Sequence, residues 1–267
     1  MFDNLKKSYH SSLFRKSITA VRKKPLLLLY VVLLDIGFFT VFYLLNILLN
    51  KFLPENPEIA TAVNSQTVFS IIILLISILY FVIIILVYSF FNLIILGNIR
   101  KMSNKYSHNL SMFKNMFFLN LLLFIILFIF LSLFNYLTIL ILNKPLWLAT
   151  ILFVILFAVL IFFYAFHNFS HSALILGHRL KNVIKNALKN TFSRSYVGVI
   201  LFSFIFMAVY FGLYILLGLL VDNFIIKNYD LFINTSSIIT IIIAYVLFTF
   251  NRIYFFFIAE KKIGIAK

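Results

Sequence analysis

Six stretches of this 267-residue chain are each long and apolar enough to cross a lipid bilayer as a helix, and no other feature restricts its fold as much. They cover residues 26–49, 68–95, 116–142, 146–176, 196–221 and 238–257. A helix rises about 1.5 Å per residue, so about 20 residues span a hydrocarbon core ~30 Å thick. Soluble packing cannot hide such runs. Here 64% of the residues are hydrophobic and 11% charged, where a soluble domain has roughly half and a quarter. The expected fold class is all-α, a polytopic membrane protein forming one domain over residues 1–267. Several stretches exceed the bilayer thickness, which predicts tilt or extension beyond it. The third and fourth meet at Asn143-Lys144-Pro145, a turn short enough to require an antiparallel hairpin.

Orientation follows from the basic residues. With the N-terminus inside, 20 of the 23 Lys and Arg lie on the cytoplasmic side, leaving Lys51, Lys144 and Lys227 outside. Glu55, Glu58, Asp222 and Asp230 also fall outside. This asymmetry predicts an integral, multi-pass protein with both termini cytoplasmic. It accounts for the net charge of +16 without nucleic acid as a partner. The first apolar run is about twice the length of a signal-peptide core, so it reads as a retained anchor. The chain has no Cys, which excludes disulfides, thiolate metal sites and cysteine nucleophiles. Its bias toward Lys, Ile, Asn and Phe fits an AT-rich genome, and a prokaryotic cell membrane is the expected location.

The even-numbered spans end alike. Leu93-Ile94-Ile95-Leu96-Gly97 closes the second and Ala173-Leu174-Ile175-Leu176-Gly177 the fourth, 80 positions on, with Lys101 and Lys181 in the same register. Basic segments precede the odd-numbered spans. Phe14-Arg15-Lys16-Ser17-Ile18 reads like Ile184-Lys185-Asn186-Ala187-Leu188, with Phe113-Lys114-Asn115 a shorter echo. Three repeated hairpins are expected, over about 1–101, 102–181 and 182–267, each preceded by a basic interfacial helix. In the last unit Leu180, Ile184 and Leu188 form an apolar stripe beside Lys181, Lys185 and Lys189. In the first, Phe14, Ile18 and Val21 face Arg15, Arg22 and Lys23. Such helices suit the headgroup level, and Arg15, Lys16, Lys181, Lys185 and Lys189 are the candidates for contact with anionic lipid. Charged loops that merely satisfy the orientation rule are the plainer alternative.

Polar groups inside spans are costly and point to function. Asp35 lies in the first span, and His167, Asn168 and His171 in the fourth, where the histidines share one face. Asp35 and His167 fall at similar depth in antiparallel helices. An Asp–His proton relay or a metal pair is one reading; a hydrogen-bonded pair locking two helices is the favoured alternative. A metal site is not expected, because no His-Glu-x-x-His pattern accompanies the histidines. Asn92, Asn120, Asn135 and Asn251 suit interhelical hydrogen bonds worth about 1 kcal/mol each. Arg252 and Glu260 fall near the cytoplasmic interface, where Arg252 can snorkel. No span carries a clear mid-membrane Gly or Pro break, no nucleotide-binding or nucleophile-elbow motif occurs, and no cofactor is implied.

The segments Phe14–Ile18 and Ile184–Leu188 and the Leu-Gly ends at Gly97 and Gly177 resemble uncharacterised prokaryotic six-span proteins. Those are similar to the membrane domain that precedes some glycerophosphoryl diester phosphodiesterases. The resemblance implies the three-hairpin fold over most of the chain and no catalytic residue, since the phosphodiesterase domain is absent. The expected function is a non-enzymatic module that organises membrane lipids, anionic ones included, or a membrane protein partner at its cytoplasmic face. The alternatives are a small proton-coupled transporter using Asp35 and His167, and then an intramembrane enzyme.

Overall fold

A computed structural model describes residues 13–52, 66–103, 110–141, 145–191 and 229–264, together with positions 208, 212 and 215. The described residues form helices α1 (Leu13–Lys23), α2 (Pro25–Phe52), α3 (Gln66–Ser103), α4 (Leu110–Ile141), α5 (Leu146–Ile175), α6 (Leu180–Thr191) and α7 (Tyr229–Ile263), with no strand among them. Five are long and apolar enough to cross a membrane, through Pro25–Lys51 in α2, Ser70–Ser103 in α3, Ser111–Ile141 in α4, Trp147–Ile175 in α5 and Ile241–Ile263 in α7. The fifth predicted span, residues 196–221, lies outside the described residues apart from Ala208, Gly212 and Ile215, which are helical. The third hairpin of the predicted repeat, which needs that span, therefore also falls outside them.

Helix boundaries follow local chemistry. Pro25 opens α2, where its missing N–H costs nothing and its fixed φ suits a first turn. It separates α2 from α1, joined through Lys24 alone. Gly177, at φ 98°, ends α5. The Gly177 N–H donates to the Leu174 carbonyl (2.9 Å) and the His178 N–H to that of Ala173 (3.3 Å), a Schellman closure that favours glycine. Gly97, its counterpart in the sequence repeat, sits inside α3, which runs on past Ile95 to Ser103. The aligned glycines thus serve different backbone conformations. One expectation is corrected here: Phe113-Lys114-Asn115 belongs to α4 itself, in line with the span, and not to a separate basic helix. Neither Pro nor Gly interrupts residues 110–116, so the helix propagates through them.

Packing concentrates at one end of the bundle. Every residue from Phe255 to Ala259 in α7 is buried, as is every residue from Asn168 to Leu176. A helix buried all round is a central element, and here α7 is enclosed by α1, α3 and α5. Leu96 and Ile99 of α3, and Met116 and Leu119 of α4, complete this core. Basic side chains tie the helix ends together. Lys24 Nζ donates to the Lys101 carbonyl and Arg100 to that of Ile175, so cations meet the free carbonyls at two helix C-termini. Glu260 accepts from Lys16 (2.9 Å) and Ser103 (2.6 Å), joining α1, α3 and α7. We call this the basic end.

The two short helices lie against that end. In α6, Val183, Ala187 and Thr191 are buried while Lys181, Lys185 and Lys189 are exposed. Leu188, expected on the covered stripe, is exposed too. In α1 the covered face is Leu13, Ser17, Ala20 and Val21, and Ile18 turns outward. Small residues let each helix sit closely on the bundle, leaving an apolar side chain outside among the cations.

Candidate intramembrane site

Five helices bring polar side chains to one level inside the bundle. On α7, Tyr245, Phe248 and Arg252 recur at i, i+3 and i+7 and so share a face. Arg252 Nη1 donates to both carboxylate oxygens of Asp35 on α2, at 3.1 and 3.2 Å. The Tyr245 hydroxyl donates to Asp35 Oδ2 at 2.8 Å. The Arg252 guanidinium also lies 4.7 Å above the Phe248 ring, a cation–π contact that fixes its plane. The side chains of Asp35 and Arg252 are 7% and 11% exposed. An ion pair this enclosed depends on both partners, because removing either leaves a charge without compensation.

Beside the pair runs a second network, carried by α3, α4 and α5. The Tyr88 hydroxyl bonds His167 Nε2 at 3.1 Å. The rings of His167 and His171 lie 4.0 Å apart. His171 Nδ1 donates to the His167 carbonyl at 2.7 Å, and its Nε2 lies 2.5 Å from Asn120 Oδ1. Asn120 Nδ2 donates to Ser89 Oγ (2.8 Å), which donates to the Ile85 carbonyl (2.6 Å). Both ring nitrogens of His171 lie against oxygens, of which a neutral imidazole can bond only one. Turning the Asn120 amide over presents its NH2 to Nε2, and Ser89 can then donate to Oδ1. The neutral ring is then bonded at both nitrogens.

Two cavities adjoin these groups. One, of about 190 Å³, is bordered by Phe38, Ile85, Tyr88, Asn120, Phe124 and His167. The other, of about 300 Å³, is lined by Tyr88, Asn92, Tyr164, His167, Asn168, His171 and Arg252, with Leu96, Leu127, Leu160, Phe163 and Phe248 as its apolar wall. Tyr88 and His167 border both. Asn92 is 5% exposed, and its Nδ2 has no hydrogen-bond partner. A buried donor left unmade is costly, and this one belongs to a residue lining the larger cavity.

The residues singled out in the sequence distribute as follows. Asp35 meets Arg252 and Tyr245 instead of His167, and His167 meets Tyr88. His171 joins Asn120. Asn168 Nδ2 donates to the Tyr164 carbonyl, within its own helix, at 2.8 Å. Among the described residues, no three or more His, Cys, Asp or Glu side chains gather as metal ligands would. Of the lipid-facing candidates, Lys181, Lys185 and Lys189 are exposed, Arg15 is half-buried, and Lys16 is turned onto Glu260 and over the Phe257 ring at 5.0 Å.

Arg252 carries more than a place near the interface implies, since it holds Asp35 inside the bundle. Its signal was available: Asp35 and Arg252 are the only Asp, Glu, Lys or Arg within the six predicted spans. Two opposite charges in one apolar solvent have strong reason to meet. Tyr88 and Tyr245 carry no comparable mark among 14 tyrosines. No protein-family model, curated protein or solved structure matches the chain.

Proposed function

We propose that the chain is a proton-coupled carrier of a small solute, with both termini cytoplasmic and its site at the cavity between α3, α5 and α7. The observation that carries this reading is the buried Asp35–Arg252 pair beside a cavity that also holds the unbonded Asn92 amide. A helix lock needs the pair but has no use for the cavity or for an orphaned donor on its wall. Asp35 lies ten residues into α2, about 15 Å along its axis, near the middle of a hydrocarbon core ~30 Å thick. Charge at that depth must stay balanced, so a solute of net negative charge that displaces Asp35 from Arg252 moves with a compensating proton. The His171–Asn120–Ser89 network lies beside the same cavity and holds the His171 ring by hydrogen bonds at both nitrogens.

The test is transport by the purified protein in proteoliposomes under an imposed pH gradient. A panel of small carboxylates, phosphates, sulfonates, amines and neutral amides is screened for solute-dependent proton movement. At least one class should move protons in the wild type and not in the Asp35→Asn/Arg252→Gln double variant, which stays electrically balanced. If no solute moves protons, the carrier reading is overturned.

A second reading rests on the exposed Lys181, Lys185 and Lys189 with Leu188 among them. This face suits a non-enzymatic module that gathers anionic lipid or a partner protein. Native mass spectrometry of the gently released protein should then find an anionic lipid or a stoichiometric partner. Changing the three lysines to Gln should remove it, and unchanged retention would remove this reading's main support.

A further inference from the structure

Resting on the carrier reading, we propose that the solute is a small amphipathic carboxylate that enters with one proton and replaces Asp35 as the partner of Arg252. The cavity presents donors to its guest. Asn92 Nδ2 is unbonded, and Arg252 bonds Asp35 through Nη1, leaving its other N–H groups for a ligand. Among the described residues, neither Asp35 nor any other acid lines the cavity. A guest that satisfies this wall brings acceptor oxygens. The rest of the lining, Leu96, Leu127, Leu160 and Phe163, asks for an apolar body.

Charge counting supplies the proton. The pair is neutral as it stands, so an anion arriving alone would leave one uncompensated negative charge in a site enclosed by apolar helices. Protonation of Asp35 removes that excess. The incoming carboxylate accepts from Arg252 and Asn92, while the Asp35 carboxylate leaves the guanidinium and takes one proton on an oxygen. Its other oxygen still accepts from the Tyr245 hydroxyl. No covalent bond is made or broken apart from that O–H. The titratable or charged groups around the pair are Tyr245 on α7, Tyr88 on α3, and Tyr164, His167 and His171 on α5. His167 and His171 also line the cavity and are proton acceptors, so Asp35→Asn decides between them. Proton uptake that persists in that variant would assign the proton to the histidines and overturn the role of Asp35. A lipid phosphate offers similar oxygens, but a cavity of about 300 Å³ suits a small free anion better than an anchored headgroup.

The deciding experiment measures binding and proton uptake together, in detergent, with benzoate as the probe and benzamide as its uncharged counterpart. Calorimetry gives the affinity, and an indicator dye in weak buffer gives protons taken up per benzoate. Wild-type protein should bind benzoate at least tenfold more tightly than benzamide and take up close to one proton. Asp35→Asn should bind benzoate with no proton uptake. Asn92→Leu should weaken it about tenfold, the loss of one hydrogen bond to a charged group. The Asp35→Asn/Arg252→Gln double variant, kept only if it melts as a folded protein, should lose benzoate binding. Equal affinity for benzamide, binding without proton uptake in the wild type, or unchanged binding by the double variant overturns the proposal. So does binding confined to phosphatidylglycerol in nanodiscs, which would assign the site to a headgroup. Benzoate binding with proton uptake but no flux would sink the carrier reading and leave the ligand class standing. Flux of a cation or neutral solute without benzoate binding would do the reverse.

Discussion

The two halves of the bundle are built from similar apolar residues and pack in different ways. Toward the basic end, α3, α5 and α7 bury Ile99, Phe169 and Phe256 at 0% exposure. Toward the other end, Leu44 of α2, Leu79 of α3, Ile139 of α4, Phe153 of α5 and Ile241 of α7 are exposed. Hydropathy does not separate them, since lipid tails solvate Leu and Phe as well as a protein core does. What differs is the admixture of small and polar residues. Ser89, Asn92, Gly97 and Asn98 punctuate α3, Ser170, Ser172 and Ala173 punctuate α5, and Thr249, Asn251 and Ala259 punctuate α7, all buried. Small side chains let helix backbones approach and polar ones bond between them, which are the contacts that hold helices together in an apolar solvent.

The largest way to break the contrast is to remove one charge from the basic half. Asp35→Asn leaves the Arg252 guanidinium, which cannot deprotonate, buried without its partner. The expected loss is about 3–5 kcal/mol in denaturant titration of the detergent-solubilised protein. Arg252→Gln should cost less, because a lone aspartate can neutralise itself by taking a proton. The double variant should return most of the stability. If the carboxylate proposal holds, benzoate should also raise the melting temperature of Asp35→Asn, by supplying the missing anion. The matching polar link nearer the other end, Tyr80 O–H to Asn46 Oδ1 at 2.6 Å, should matter less. Asn46→Leu is expected to cost about 0.6–1 kcal/mol.

Aromatic truncation tests packing alone. Phe256→Ala removes a side chain at 0% exposure and should cost about 3 kcal/mol, chiefly through the cavity left behind. Phe153→Ala, at 65% exposure, should stay within about 0.5 kcal/mol. Equal losses in the same unfolding assay would show that the halves are packed alike.

Sequence reasoning reached the helices of this fold more easily than their meetings. The apolar runs placed α2 and α5 to within a few residues, because span length is set by bilayer thickness. They missed the continuation of α3 past Gly97 and the early start of α4 at Leu110, since helices do not stop where hydropathy falls. Asp35, His167, His171, Asn168 and Asn92 were visible as polar residues in apolar helices, and the structure puts all five within or beside one polar region. Their partners were not visible. The predicted span ending at residue 257 puts Arg252 near the interface and pairs Asp35 with His167 by depth. The helix runs on to Ile263, which brings Arg252 to the level of Asp35, and the azimuth of each helix then decides the partner. That angle is set by ridge packing over the whole bundle. The predicted apolar stripes of α1 and α6 are covered only in part: Val21, Leu180 and Ile184 pack on the core, and Ile18 and Leu188 face outward. Ser17 and Ala187 are covered in their place because close approach favours small side chains, whereas a hydropathy pattern favours Ile18 and Leu188.

Gly177→Ala sharpens the comparison at the closure of α5. An alanine at φ 98° is strained by about 1–2 kcal/mol, and the loss should appear as reduced thermal stability. It should also disturb α6, which begins at Leu180, and speed proteolysis between residues 177 and 191. A gain in stability would mean that the Schellman closure does not form.

The smallest expected effect lies at the outer surface of the basic end. Lys16 bonds Glu260 but is 54% exposed, and a pair that open to solvent contributes at most about 0.5–1 kcal/mol. Lys16→Ala should therefore lower stability by no more than that, and added salt should abolish the difference. Glu260→Gln should cost more, because Glu260 is 11% exposed and also accepts from Ser103 on α3. A double-mutant cycle over the two positions separates the surface pair from the helix-joining bond. A coupling energy near zero, with Glu260→Gln alone destabilising, would place the joint between α3 and α7 and leave α1 as a cover. A coupling of several kcal/mol would make α1 part of the closed half itself.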